Sequence, residues 1–156
     1  MKRFSELKVG DEFFADCTIT PSDLYTYLTF SGIRNVIYEK HESTESGPKM
    51  VSGRAILARM EGEFTKLDEF YGNQLIFYGI DGDPSWNGRQ TRFLRPLRTD
   101  ERLKAKFTIS DKRDLNDEFG LISVDFEGTG EDGKTILISK RNLYQMKKNS
   151  ARTPEK

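Results

Sequence analysis

The sequence predicts an α+β domain in which a curved antiparallel sheet wraps around one long central helix. Three observations carry this. Between Gly53 and Phe70, the residues Ile56, Met60, Phe64 and Leu67 recur at i, i+4, i+8 and i+11, which is one face of a helix. Further on, Leu103, Ala105, Phe107 and Ile109 alternate with Lys104, Lys106, Thr108 and Ser110, the period of a strand with one face buried. The order is strand, short helix, long helix, then about five strands in hairpins, and such segregated runs favour α+β over alternating α/β.

Taken in order, Phe13 to Ile19 is apolar and β-branched enough for a first strand. Thr20-Pro21-Ser22-Asp23 then reads as a helix start: Thr20 can cap, Pro21 suits the first helical position, and Asp23 faces the positive helix end. Leu24, Tyr27 and Leu28 continue at helical spacing, and Gly32 should end the helix. The polar stretch His41 to Lys49, with Ser46-Gly47-Pro48, reads as a loop before the long helix. Leu75 to Ile80 is a continuous apolar run, the pattern of a strand buried on both faces. Trp86 to Phe93 is a further candidate strand. Ile122, Val124 and Phe126 alternate with Ser123, Asp125 and Glu127, Gly128 to Gly133 is rich in turn residues, and Thr135 to Tyr144 is the last strand. No internal repeat is visible.

With 156 residues the chain has room for one domain, expected over 1–146, followed by a polar tail over 147–156. Apolar residues make up only 35%. A core completed by a partner surface would explain so low a fraction, and so would large loops. Lys plus Arg and Asp plus Glu are equal at 25 each, so no long-range field draws in nucleic acid or an anionic membrane, and neither is expected as a partner. Cys17 is the sole cysteine, which rules out an internal disulfide and fits a reducing compartment. The start, Met1-Lys2-Arg3-Phe4-Ser5-Glu6, has no apolar stretch behind its positive charges, and no run approaches the roughly 20 apolar residues of a membrane helix. A cytoplasmic location is the expectation.

Several short motifs in this order resemble the MaoC-like branch of the hotdog superfamily, the (R)-specific enoyl-CoA hydratases and acyl dehydratases. FSELKVGDEF (4–13) is similar to that family's opening. SGIRNVIYEK (31–40) stands where the family has its catalytic segment. MVSGRAIL (50–57) resembles the glycine-led start of the central helix, and RFLRPLRTDERL (92–103) the stretch entering the long hairpin. The resemblance covers residues 4 to 146. It implies addition of water to an enoyl thioester, or the reverse, by an Asp-x-x-x-x-His pair. A carboxylate and an imidazole are both needed because one proton leaves the water while another reaches the substrate α-carbon. A backbone N–H at the helix start polarises the thioester carbonyl.

The chain departs from that pattern at its chemical centre. The aspartate position holds Ile33, which has no proton to exchange, and the histidine position holds Tyr38, whose reference pKa of about 10 makes it a poor base near neutrality. The family's frequent His-Gly pair at the helix start is Ser52-Gly53, so only the glycine persists. His41, the only histidine, sits beside Glu42 in a polar loop, and a one-turn shift of the pair would need an acid where Val36 stands. Other hotdog branches place an acid on the central helix five positions after its glycine; here that is Ala58. Glu63 falls among the apolar residues of the helix, where burial would raise its pKa, but pairing with Arg59 one turn earlier is the simpler reading.

Asp81-Gly82-Asp83 lacks the alternating ligands and closing Glu of a calcium loop and reads as a turn. Arg89, Arg92, Arg95 and Arg98, spaced by threes, suit either coenzyme A phosphates or a solvated, charged strand edge. Trp86 is expected in the core or an interface. The expected function is therefore acyl-thioester binding without the standard hydratase activity, with Tyr38, Ser52 and Gly53 as binding residues, no confident catalytic residue and Glu63 as a weak candidate. No cofactor or metal is implied beyond a coenzyme A thioester as ligand. The expected partners are acyl-CoA or acyl-carrier protein, and a second subunit in a homodimer or in a heterodimer with a catalytic homologue. The alternatives are an active hydratase, dehydratase or thioesterase with a relocated acid and base, and a non-enzymatic structural or interaction protein.

Overall fold

The computed structural model describes residues 1–34, 48–80 and 90–149. Tyr38, His41, Asp81-Gly82-Asp83, Trp86 and Arg89 lie outside the described residues. Six strands form one antiparallel sheet: β1 (Glu12–Thr18), β2 (Leu75–Ile80), β3 (Thr91–Phe93), β4 (Arg102–Asp114), β5 (Phe119–Thr129) and β6 (Thr135–Lys147). The order across the sheet is β1-β4-β5-β6-β2, with the short β3 beside the other half of β6. Two helices complete the fold, α1 (Pro21–Ser31) and α2 (Gly53–Lys66). The predicted α+β architecture is the one observed.

α1 begins and ends where its residues dictate. Thr20 Oγ1 accepts from the Asp23 amide at 3.0 Å, and the Asp23 carboxylate accepts from the Thr20 amide at 3.0 Å, a reciprocal capping box. That amide hydrogen bond from Thr20 is the chief reason the Asp23 carboxyl titrates below its ordinary value. Gly32 closes the helix in the left-handed region at φ 71°, which costs glycine no Cβ clash.

α2 lies against the inner face of the sheet. Ile56, Met60 and Phe64 are fully buried, and the Phe64 ring meets Phe70, Phe107, Phe126 and Tyr144 with centroids 4.6 to 5.8 Å apart. The helix stops four residues before the predicted end. Leu67 is its C-cap and only half-buried, and Phe70 reaches the core from a turn, its ring tilted against Phe64 and edge-on to Phe13. The apolar spacing persisted past the helix because the turn after it also packs inward.

A second correction concerns β2. It is an edge strand and not one buried on both faces: Ile76, Phe77 and Tyr78 each expose about half of their surface. The strand predicted over 86–93 is β3, ordered within the described residues over Thr91–Phe93.

Removing the Phe64 ring empties the centre of this aromatic cluster. Phe64→Ala should cost about 3–5 kcal/mol, read from chemical denaturation. An unchanged midpoint would contradict the packing described.

Candidate functional site

The start of α2 is held by a small ladder that local sequence does not reveal. The Lys49 amide donates to Thr99 Oγ1 at 2.9 Å, Val51 N–H donates to the Leu97 carbonyl at 2.9 Å, and Thr99 N–H to the Lys49 carbonyl at 2.8 Å. Leu97 and Thr99 are buried, so this ladder is a fixed part of the core. It brings residues 93–96, some forty positions downstream, against the first turn of α2.

A hollow of about 410 Å³ opens there, and Ser52, Gly53, Arg54, Phe93, Arg95 and Pro96 are among the residues lining it. Ser52, the N-cap, is buried and makes no side-chain cap hydrogen bond. The first bond of the helix runs from the Ile56 amide to the Ser52 carbonyl at 3.1 Å. The amides of Gly53, Arg54 and Ala55 therefore have no acceptor within the helix and carry its positive end. Such donors suit a carbonyl oxygen or an anion.

Glycine at 53 has a steric reason. A Cβ there would stand 2.7 Å from Phe93 Cε1 and 2.8 Å from its Cδ1, so only a hydrogen fits between the helix backbone and the ring. Phe93 is nevertheless 48% exposed, because its other side faces the hollow and solvent.

Arg95 is fixed from the opposite direction. Its guanidinium donates to Glu101 (Nη2–Oε2 2.5 Å), to Asp132 (2.9 Å) and to the Pro96 carbonyl (2.7 Å). The hydrogen bond from Arg95 is the largest influence on Glu101 and holds its carboxyl below the ordinary range. Gly130 leaves the space through which this arginine passes, since a Cβ there would collide with Nη2. Of the predicted arginine row, Arg95 is thus committed to acids within the chain, whereas Arg92 and Arg98 are exposed.

The structure brings Ser52 and Gly53 together with Phe93 and Arg95. Neither Ile33 nor Glu63 lines this hollow. Ile33 follows the Gly32 cap of α1, half-buried, its amide donating to Ser31 Oγ at 3.3 Å. Glu63 faces the other flank of α2, bonded to Arg59 at 2.9 Å and Lys66 at 3.2 Å, while Arg59 also reaches Asp23 of α1 at 3.4 Å. Burial pushes the Glu63 carboxyl up, but the bonds from Arg59 and Lys66 outweigh it and leave the group below its ordinary value. It is a carboxylate with partners, not a protonatable acid waiting in an apolar pocket.

Sequence reasoning missed Phe93 and also the pair Glu61–Tyr144. The buried Tyr144 hydroxyl donates to Glu61 Oε2 at 2.6 Å, and burial followed by this bond pushes the phenol far above its ordinary pKa. Glu61 is eight residues beyond Gly53, about 12 Å along the helix. From there it does not reach a carbonyl held at the first turn, and its evident role is to satisfy a buried hydroxyl.

No family model and no curated relative matches the sequence. Solved structures do match the fold. A monoamine oxidase regulatory protein of Archaeoglobus fulgidus superposes with a TM-score of 0.71 at 19% identity, covering 94% of this chain and 95% of that one. The unliganded (R)-hydratase PhaJ1 of Pseudomonas aeruginosa gives 0.63 at 18%, covering 99% and 94%. A Mycobacterium tuberculosis protein described as a double hotdog fold gives 0.65 at 13%, covering 99% of this chain and 46% of that one. The chain has the hotdog fold, in the form shared by MaoC-like dehydratases and (R)-hydratases among its structural neighbours.

The Gly53–Phe93 contact makes a testable pair. Gly53→Ala should destabilise the protein by about 1–3 kcal/mol through overpacking. In a Phe93→Ala background the same change should cost less than half as much. Denaturation of the four proteins of this cycle gives the coupling directly; additive effects would refute the steric reason for the glycine.

Proposed function

We propose that this protein is a MaoC-like acyl-thioester-binding protein that lacks the standard hydratase chemistry and works as one half of a two-subunit assembly. The observation that carries the reading is the hollow at the start of α2. It offers backbone donors with no acceptor among the described residues beside accessible apolar surface, in a hotdog fold where the family resemblance puts Ile33 at the position of the acid. A thioester has the matching features: a carbonyl oxygen to accept from Gly53 and an acyl chain to cover Phe93 and Pro96. The same donors would serve acyl-CoA or an acyl-carrier protein, and the exposed Arg54 at the rim favours an anionic carrier in either case.

Hydration is disfavoured by elimination of its parts. Ile33 neither holds nor moves a proton, and Tyr38 is a weak base near neutrality. Each missing acid or base is worth roughly 10²–10⁴ in rate. Crotonyl-coenzyme A should therefore bind, as read by calorimetry, without measurable hydration. Ile33→Asp combined with Tyr38→His should then recover turnover. Rapid hydration by the unaltered chain, abolished by Tyr38→Phe, would overturn the reading in favour of an enzyme with a rebuilt site. Failure to bind any acyl thioester would favour a structural protein.

Pairing is supported by the unlike edges of the sheet. β1 carries Glu12 and Asp16, which face Lys106 and Arg102 at 3.9 and 3.0 Å, and charged edges resist further pairing. β2, Leu75–Ile80, carries no charge and leaves Ile76, Phe77 and Tyr78 half-exposed, as a strand that awaits a neighbour would. The double-hotdog neighbour, of which this chain matches 46%, supports an assembly of two such units. The neighbour is either a second copy or a homologue carrying the intact acid and base. Sedimentation at micromolar concentration should show a dimer that Phe77→Lys dissociates. A monomer before substitution would leave only the heterodimer, to be sought by coexpression with a catalytic homologue.

A further inference from the structure

We infer that Phe93 is the specificity-determining residue of the hollow, the wall that selects which acyl groups fit beside the carbonyl. This deepens the acyl-thioester reading and rests on it. Three observations lead there. The ring is in contact with the backbone of Gly53, since even a Cβ at that position would lie 2.7 Å from Cε1. Phe93 remains 48% exposed, whereas Val51, Ser52 and Ile56, which share the hollow, are at most 5% exposed and already belong to the core. Its backbone is held on β6 by pairing with Leu137 and by the Leu94 amide, which donates to the Ile136 carbonyl at 2.7 Å. The side chain is therefore a fixed apolar surface, still open on one side.

Geometry makes it discriminating. An oxygen accepting from the Gly53 amide sits about 2.9 Å from the nitrogen, and its carbon about 1.2 Å further on. The carbonyl carbon then lies within about 4 Å of Gly53, and its two substituents fall beside a ring that already touches the glycine. One substituent is the sulfur and the other the acyl α-carbon. A flat, unbranched acyl group can lie along the ring. Branching at the α-carbon, or a bulky aryl group, would have to occupy the ring's own volume. Pro96 and the half-buried Met50 lie further along the same hollow and bound the chain beyond that point.

The test uses the full chain and calorimetric titration of crotonyl-, 2-methylbutyryl- and benzoyl-coenzyme A, with free coenzyme A as control. Phe93→Ala should weaken crotonyl binding by about tenfold through lost apolar contact. It should tighten binding of the branched and aryl thioesters and leave free coenzyme A unchanged. Phe93→Leu should lie between the two. Because Phe93 is half-exposed on an edge strand, the variant should fold, which a thermal melt verifies. An equal change for all three thioesters, or unaltered preference, would overturn the assignment while leaving acyl-thioester binding intact. Absence of binding by the unsubstituted protein to every thioester would instead remove the underlying reading.

Discussion

Phe64 enters a ring of four other aromatic side chains, and the placement of everything else depends on that contact. Phe107 and Phe126 come from adjacent strands in direct register, Tyr144 from β6, and Phe70 from the turn after the helix. A helix anchored at this point cannot slide along the sheet without breaking several ring contacts, each worth about 0.5–1.5 kcal/mol beyond its buried area. Its first turn, eleven residues earlier, is thereby fixed in position. The ladder of Lys49–Val51 on Leu97–Thr99 fixes the same turn from the other end. A binding surface made of backbone amides needs this double restraint, because an amide cannot rotate into place as a side chain can.

The two flanks of α2 have taken different roles. Toward α1, Arg59 ties Glu63 and Asp23 together, so the charges on that side are neutralised within the protomer. Toward β6 and the sheet edge, Glu61 accepts from the buried Tyr144 hydroxyl, and Tyr144 in turn packs on the half-exposed Phe77 with centroids 5.6 Å apart. The first flank closes the molecule. The second continues through Phe77 to an uncharged edge strand that leaves Ile76, Phe77 and Tyr78 half-exposed.

Much of this was legible in the sequence wherever local chemistry decides the outcome. The capping box of Thr20 and Asp23, the Gly32 cap and the alternation of β4 are all short-range signals, and all are seen; in β5 the alternation holds from Val124 onward, whereas Ser123, expected outside, is buried. The misreadings share one cause. A continuous apolar run such as Leu75–Ile80 says that both faces avoid water, but not whether the covering surface belongs to the same chain. Likewise Leu67 and Phe70 extend the apolar spacing of α2 whether the chain there is helical or turning. Gly53 and Ser52 could be singled out as a helix start. Phe93 could not, because what joins it to Gly53 is a ladder between segments some forty residues apart. The Arg95–Glu101–Asp132 cluster was hidden for the same reason: the β3–β4 loop, which carries Arg95 and Glu101, meets Asp132 of the β5–β6 turn only in three dimensions.

A backbone donor and a catalytic side chain differ in how they can be lost. The acid and base of a hydratase are each one substitution away from an inert residue, and a side chain placed as Ile33 is, half-buried after a helix cap with its amide bonded locally, carries little of the fold. The amides at the start of α2 belong to any residue that could stand there other than proline. They vanish only if the helix moves, and the helix is bound to the aromatic core. Close approach to those amides needs a glycine, and the ring packed on Gly53 keeps that requirement in force for folding itself. The requirements of a stable fold therefore hold these amides in place independently of any catalytic side chain. On the proposed reading, that is why a thioester-binding surface does not depend on the presence of an acid and a base.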